Sequence, residues 1–196
     1  MRVSRILIAV GALLLTAALA VNAAGIKMAI SGEGAVNERT IQAGKPVSFD
    51  IIMMNDSLRA GITIGFKIVS DDIKSVTHVS DSGSNCLNER CDVKGWNGFE
   101  DASIWDLYGM MVIEKNWDGA LPELLGFGGI CNKQKYLAHD WEKKLSFELI
   151  VDQPGTLVVD SSFYPPGGKW LYASPPGTIE AHEPSWGGPY VFKVIE

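Results

Sequence analysis

Residues 47–56 read Val-Ser-Phe-Asp-Ile-Ile-Met-Met-Asn-Asp, and this stretch decides the fold class of the chain. Its apolar side chains recur at every second position: Val47, Phe49, Ile51 and Met53. Successive side chains of a β-strand point to opposite faces, so this spacing predicts a strand with one buried face. Two of the intervening residues are also apolar, and we therefore expect the opposite face to be only partly exposed to water.

The same period of two recurs along the chain. Residues 62–68 place four apolar side chains on one face. Residues 145–151 do the same with Leu145, Phe147, Leu149 and Val151, which alternate with Ser146, Glu148 and, after the strand, Asp152. Gln153-Pro154-Gly155 follows as a turn and leads into residues 156–160, which predicts a hairpin. We further expect residues 75–79 to return beside residues 62–68.

The remaining pattern predicts an all-β protein. Residues 190–195 form an apolar segment that should tie the C-terminal end into a sheet. About seven to nine strands, with no helical segment of about 12 residues, predict a two-sheet antiparallel β-sandwich or a barrel. Residues 81–136 form a long excursion rich in Gly, Trp, Asn and Asp, which favours a functional role. Its apolar runs at 104–113 and 124–130 can still be strands.

The first residues are typical of a secretory signal peptide. An apolar run at residues 6–21 follows Arg2 and Arg5 and is too short for a membrane span. Small or aliphatic residues at positions 21 and 23 predict cleavage after Ala23. We therefore expect a signal peptide at 1–23 and a single β-sandwich domain at 24–196.

Composition and charge limit the partners. The predicted exported chain holds 15 basic and 23 acidic residues, a net charge of −8, without a cluster of Lys and Arg. Binding of DNA or RNA depends on such clusters, so nucleic acid is excluded as a partner. The sequence beyond the signal peptide has neither a second long apolar stretch nor a Cys directly after the cleavage site to carry a lipid. The sequence predicts a secreted or periplasmic protein without a membrane span.

Three cysteines follow the signal peptide, and an exported protein normally pairs them. Cys86 and Cys91 enclose four residues and are the favoured disulfide, which leaves Cys131 buried or free. A zinc site requires four suitable ligands at short spacing, and the histidines lie far apart in sequence at positions 78, 139 and 182. A zinc site is therefore not expected.

Four segments resemble the ordered strand phrases of cohesin-like domains. They are QAGKPVSFDI from Gln42, GITIGFKI from Gly61, LSFELIV from Leu145 and GTLVVD from Gly155. The resemblance extends over about residues 36–195 and implies a jelly-roll-like, nine-stranded sandwich that several carbohydrate-binding modules share. The segments 160–170 and 186–192 are similar to exported single-domain cohesin-like proteins of bacteria. The best-known cohesins bind a dockerin through one sheet face, but no residue-level motif here transfers that interface.

Tryptophans are the candidate ligand-binding residues. Five of the six lie in or beside sequence rich in Gly, Pro or Asp, and Trp96, Trp117 and Trp170 are the strongest candidates. An exposed ring can stack on the apolar face of a sugar while neighbouring amides and carboxylates bind its hydroxyl groups. The alternative is that these rings pack in the core, since tryptophan is highly buried on average.

A weak calcium motif lies within the excursion. Glu114, Asn116 and Asp118 place oxygen ligands at alternate positions before Gly119, as in the first half of a calcium loop. The twelfth position, where an EF-hand has a bidentate Glu, is Leu125. Asn116 and Asp118 are thus candidate metal ligands, and the alternative is a turn in which Asn and Asp side chains bind their own backbone.

These observations leave three functional hypotheses. The first is an exported, non-enzymatic binding module of cohesin-like type that engages a protein partner or surface polymer through a sheet face or residues 81–136. The second is a carbohydrate-binding module that uses loop tryptophans, with no cofactor beyond a possible calcium ion. The third is a small secreted hydrolase, although the sequence has neither a G-x-S-x-G nor an H-E-x-x-H motif.

Overall fold

A computed structural model of the chain describes residues 24–55, 58–79, 96–99, 107–111, 118–136, 140–162, 170–173 and 181–196. The predicted signal peptide, Cys86, Cys91, Asn116 and Trp117 lie outside these residues. Their predicted roles therefore stay predictions.

The described residues form fifteen strands and no helix. The strands are β1 (Ala24–Ser31), β2 (Ala35–Asn37), β3 (Thr40–Gln42), β4 (Pro46–Asn55), β5 (Leu58–Val69), β6 (Val76–His78), β7 (Trp96–Phe99), β8 (Leu107–Met111), β9 (Glu123–Tyr136), β10 (Glu142–Val151), β11 (Gly155–Ser161), β12 (Leu171–Ala173), β13 (Ala181–His182), β14 (Ser185–Trp186) and β15 (Tyr190–Ile195). In this part of the chain, no helix could cross a membrane.

Two sheets make up the fold. The first sheet has the order β14-β1-β4-β10-β6, with β7 also paired to β10. The second sheet has the order β13-β12-β5-β11-β15-β3-β2, with β9 paired to β5 and β8 paired to β9. Most neighbours are antiparallel, whereas β1 with β14 and β3 with β15 are parallel. The predicted all-β, two-sheet sandwich is confirmed.

The core lies between the sheets and follows the predicted alternation. The buried face of β4 and that of β10 are at most 1% exposed and consist of Val47, Phe49, Ile51, Met53, Leu145, Phe147, Leu149 and Val151. Phe49 and Phe147 stack with ring centroids 5.1 Å apart, and Phe192 of the second sheet meets Phe49 edge-on at 5.5 Å. Aromatic contacts of this geometry add to the energy of apolar burial, so these three rings join the two sheets.

The predicted hairpin at residues 145–160 is wrong. Strand β10 pairs with β4, β6 and β7 in the first sheet, whereas β11 pairs with β5 and β15 in the second. The turn at residues 152–154 therefore carries the chain from one sheet to the other. The predicted pairing of residues 75–79 with residues 62–68 is also wrong, because β6 pairs with β10.

Part of the excursion at residues 81–136 belongs to the sandwich. It contributes β7 to the first sheet, and β8 and β9 to the second. Strand β9 pairs with β5 from Glu123 opposite Ile68 to Tyr136 opposite Leu58. The apolar runs expected to be strands are therefore strands in their described parts, and β15 holds the C-terminal end in the second sheet as predicted.

A buried carboxylate connects the two sheets away from the aromatic core. Glu123, at the start of β9, is fully buried, and its Oε2 lies 3.0 Å from Nε2 of His78 on β6. The other oxygen, Oε1, accepts a hydrogen bond from the backbone N–H of Gly119. Gly119 has a φ of 94°, and a Cβ there would lie 2.6 Å from the carbonyl oxygen of Val76. A side chain at position 119 would therefore clash with β6.

Replacement of Glu123 tests this connection. Glu123→Ala removes the acceptor of the Gly119 N–H and one partner of the His78 ring in a buried site, and we expect a loss of about 3 kcal/mol in the free energy of unfolding. Urea denaturation followed by tryptophan fluorescence measures it.

The matched control is Glu142→Ala, which removes an exposed carboxylate 2.5 Å from Lys144 and should cost less than about 1 kcal/mol. Equal losses for the two variants would contradict a structural role for Glu123.

Candidate functional site

Trp170 does not present its ring to a ligand. Only 4% of the residue is exposed, and its ring centroid lies 5.1 Å from that of Phe66. The indole Nε1–H donates to the carbonyl oxygens of Gly65 at 2.9 Å and Ser162 at 3.0 Å. A buried indole needs such an acceptor, and here it has two. The prediction that Trp170 binds sugar is therefore wrong, and core packing is its role.

Two other predicted site residues, Trp96 and Asp118, lie in the described part of the chain on different segments. Trp96 begins β7 and is opposite Phe147 in the register with β10. Asp118 is exposed, and its Oδ1 accepts a hydrogen bond from the backbone N–H of Ala120 at 2.9 Å. This is the turn in which Asp binds its own backbone, the alternative to a calcium ligand. The described residues hold no group of three His, Cys, Asp or Glu placed to bind a metal.

A sixth tryptophan, which the sequence interpretation did not select, lies on the outer face of the first sheet. Trp141 precedes β10 and is 45% exposed. Its ring lies against the backbone of Gly25 on β1, where an added Cβ would be 2.7 Å from the ring. The Nζ of Lys27 lies over the same ring, 4.3 Å from its centroid. The glycine leaves room for the ring, and the ammonium is held by a cation–π contact.

A β-bulge explains why Trp141 points outward. Strict alternation from the buried Leu145 would turn residues 143 and 141 toward the core. The register between β10 and β4 instead shifts between Lys143 and Leu145, so Lys143 is opposite Ile52 and Leu145 opposite Ile51. The extra residue reverses the side-chain direction, as bulges do.

Two apolar side chains of β4 share this outer face with the ring. In the register between β1 and β4, Gly25 is opposite Met54 and Lys27 is opposite Ile52. Ile52 and Met54 are half-buried and alternate with the core residues of β4. We name Gly25, Lys27, Ile52, Met54 and Trp141 the Trp141 surface. It is an apolar patch that includes the ammonium of Lys27, and the exposed Lys143, opposite Ile52 in the register, adds a second positive charge at its margin.

A fixed carboxylate borders the Trp141 surface. Asp50 lies two residues before Ile52 on β4, and its oxygens accept hydrogen bonds from the hydroxyls of Ser31 at 2.7 Å and Ser48 at 2.9 Å. The Nζ of Lys143 lies 3.8 Å from the same side chain. Because these groups already bind the carboxylate, it forms an ordered polar margin beside the apolar patch.

A groove of about 510 Å³ continues from the Trp141 surface past the edge of β1. Its lining residues are Lys27, Met28, Ala29, Ile30, Ala35, Asn37, Glu38, Arg39, Ile52 and Tyr190. Lys27 and Ile52 belong to both features, so the patch and the groove form one continuous surface. On the far side, the guanidinium carbon of Arg39 lies 4.5 Å from the ring centroid of Tyr190.

Both cations of the groove are held on aromatic rings. Lys27 rests on Trp141 and Arg39 on Tyr190, and within the described residues neither forms an ion pair with a carboxylate. A guanidinium on an aromatic face keeps its N–H donors available for carboxylate groups. The surface therefore combines an exposed indole with two ordered positive groups.

One signal in the sequence could have identified Trp141. It lies within His-Asp-Trp-Glu-Lys-Lys at residues 139–144, and a ring among so many charged neighbours is difficult to bury. Proximity to Gly and Pro favours the other tryptophans instead, because ligand-binding rings often lie on loops.

Comparison with known proteins bears on the fold. No protein-family model matches the sequence, and no curated protein gives a match. A type II cohesin domain from the cellulosome of Acetivibrio cellulolyticus matches the structure with a TM-score of 0.51 and 11% identity, over 86% of this chain and 94% of that chain. The chain has a cohesin-like β-sandwich fold. The resemblance seen in the strand segments is confirmed.

Two further solved structures are similar to the cohesin-like sandwich. The seventh ScaB type I cohesin from Pseudobacteroides cellulosolvens gives a TM-score of 0.49 and 10% identity, over 87% of this chain and 92% of that chain. The sixth cohesin from scaffoldin B of Acetivibrio cellulolyticus was solved in complex with a Cel5 dockerin mutant. It gives a TM-score of 0.48 and 14% identity, over 87% of this chain and 99% of that chain. The type II cohesin domain, at 11% identity, shows the fold alone.

Proposed function

We propose that this chain is an exported, non-enzymatic protein-binding module that docks a partner on the Trp141 surface. The observation that carries the proposal is the large indole of Trp141, 45% exposed at the centre of an apolar patch on the first sheet. The cohesin-like fold, shared with a domain from a cellulosome, is in keeping with a binding role.

The composition of the Trp141 surface matches the energetic centre of a protein interface. Trp, Tyr and Arg side chains contribute most of the binding energy of such interfaces. They lie near the centre, and the residues around them exclude water. Here the indole lies against Gly25 and Lys27, whose partners in the register with β4 are the half-buried Met54 and Ile52, and the hydrogen-bonded Asp50 lies at the margin of this surface. A ring on paired strands also loses little conformational entropy when a partner binds.

Binding of a sugar on Trp141 is the second candidate, because an exposed indole can also stack on a pyranose ring. The position of Lys27 argues against it. Its ammonium already lies over the ring that a sugar would cover, 4.3 Å from the centroid. A protein partner can instead contact the exposed edge of the indole and the Lys27 ammonium together.

Capture with a matched pair of variants tests the proposed function. The purified chain, immobilised and exposed to cell-envelope and secreted proteins of its source, should retain a partner saturably. Trp141→Ala should weaken this binding at least about tenfold, because the central aromatic contact is lost. Val36→Ala, at a residue 51% exposed in the second sheet, should leave it unchanged.

The contradicting results are specific. Equal capture by both variants would place the docking site elsewhere. Saturable binding of an oligosaccharide on a glycan array, abolished by Trp141→Ala, would replace the protein partner with a carbohydrate.

Export is the second component of the proposal and has its own test. Expressed with its complete N-terminal segment in an exporting bacterial host, the chain should be recovered outside the cytoplasm. Its intact mass should correspond to residues 24–196, because the predicted cleavage follows Ala23. A cytoplasmic product that retains residues 1–23 would contradict export.

A further inference from the structure

The edge of β1 beside the groove has a short partner strand. Strand β14 pairs with β1 only at Gly25 and Ile26. From Met28 to Ser31, β1 pairs with β4 on its other edge, and in the described parts of the chain no strand pairs with it on the groove side. This leaves an edge at which a further strand can pair.

The main chain of this edge is directed toward the groove. The carbonyl oxygen of Ile26 accepts a hydrogen bond at 3.0 Å from the N–H of Gly187, which follows β14. Along a strand, the N–H and C=O groups of every second residue point to the same side. Met28 and Ile30 therefore present their backbone groups to the side from which β14 approaches, and both residues line the groove.

The charges beside this edge indicate the occupant. Lys27 and Arg39 flank the groove, and Glu38 is the acidic residue in its lining. The groove is therefore locally positive on a chain with a net charge of −6. The net negative charge of the chain repels an acidic ligand from the rest of its surface. The two cations therefore make this groove the favoured binding site for such a ligand.

We propose that an extended acidic segment of the protein partner adds to β1 as an edge strand along Met28–Ser31. Its backbone hydrogen-bonds to Met28 and Ile30, and its carboxylates contact Lys27 and Arg39. Strand addition of this kind takes affinity from main-chain hydrogen bonds and specificity from alternate side chains. The proposal rests on the proposed function, since it identifies the part of the partner that occupies the groove next to Trp141.

Synthetic peptides test the proposal directly. A fluorescein-labelled octapeptide of alternating Val and Glu should bind the purified chain saturably in fluorescence anisotropy, and more weakly as salt rises. An octapeptide of alternating Val and Lys should bind at least about tenfold more weakly, because like charges repel. The Val-Glu peptide with an N-methyl group on every residue should lose a similar factor, because neither of its edges can then donate a backbone hydrogen bond to β1.

Substitutions in the chain itself test the same contacts between the peptide and β1. Ile30→Pro removes a backbone N–H on the groove edge and leaves the β4 ladder intact, as proline does in edge strands. Arg39→Gln removes a flanking charge without altering the backbone. Both should weaken binding of the Val-Glu peptide at least about threefold, whereas Lys193→Gln, at an exposed lysine outside the groove, should not.

Two outcomes overturn strand addition. The first is that the Val-Glu peptide does not bind. The second is that the N-methylated peptide binds as tightly as the unmodified one, which would show that the charges of the peptide alone attract it to the groove. If Ile30→Pro fails to fold, as judged by circular dichroism, the N-methylated peptide and Arg39→Gln still decide. A third result separates the two proposals. If Trp141→Ala loses the partner while Arg39→Gln and Ile30→Pro still capture it fully, the partner docks on the Trp141 surface but does not add a strand to β1.

Discussion

The stacked rings of Phe49 and Phe147 are the contact on which the rest of the structure depends. They lie on neighbouring strands of the first sheet, and Phe192 of the second sheet meets Phe49 inside the sandwich. Because side chains alternate along a strand, burial of Phe49 directs Asp50 and Ile52 to the outer face. A slip of one residue in β4 would bring the Asp50 carboxylate into the core, so the register is strongly fixed.

The burial of the core residues thus determines which side chains of the first sheet lie on its outer face, with one exception in β10. The bulge between Lys143 and Leu145 changes the side-chain direction in β10 and brings Trp141 over Gly25. An exposed indole on the outer face makes no contribution to the core, which supports a role in binding. The groove along β1 extends the same surface, and Lys27 lies at the junction between patch and groove.

Local periodicity predicted the strands well, because the buried faces of β4, β5, β10 and β15 require alternation that the sequence displays directly. It did not predict pairing. The turn at residues 152–154 looks the same whether β11 folds back on β10 or crosses to the other sheet, and distant partners decide between them. Trp170 lies beside Gly and Pro but is buried, since it donates to Gly65 and Ser162. The charged neighbours of Trp141 in the sequence indicate exposure, but its position over β1 follows from the bulge in β10, which the period of the strand does not reveal.

Hydrogen–deuterium exchange of the free and the partner-bound chain tests the central claim most directly, namely that a protein partner docks on the Trp141 surface. The account predicts slower exchange in β1 and at the start of β10 when the partner is bound. Exchange in β5 and β11 of the second sheet, which contribute no residue to the lining of the groove, should not change. Protection of β5, β11 and β15, with β1 unaffected, would place the partner on the opposite sheet and contradict the account.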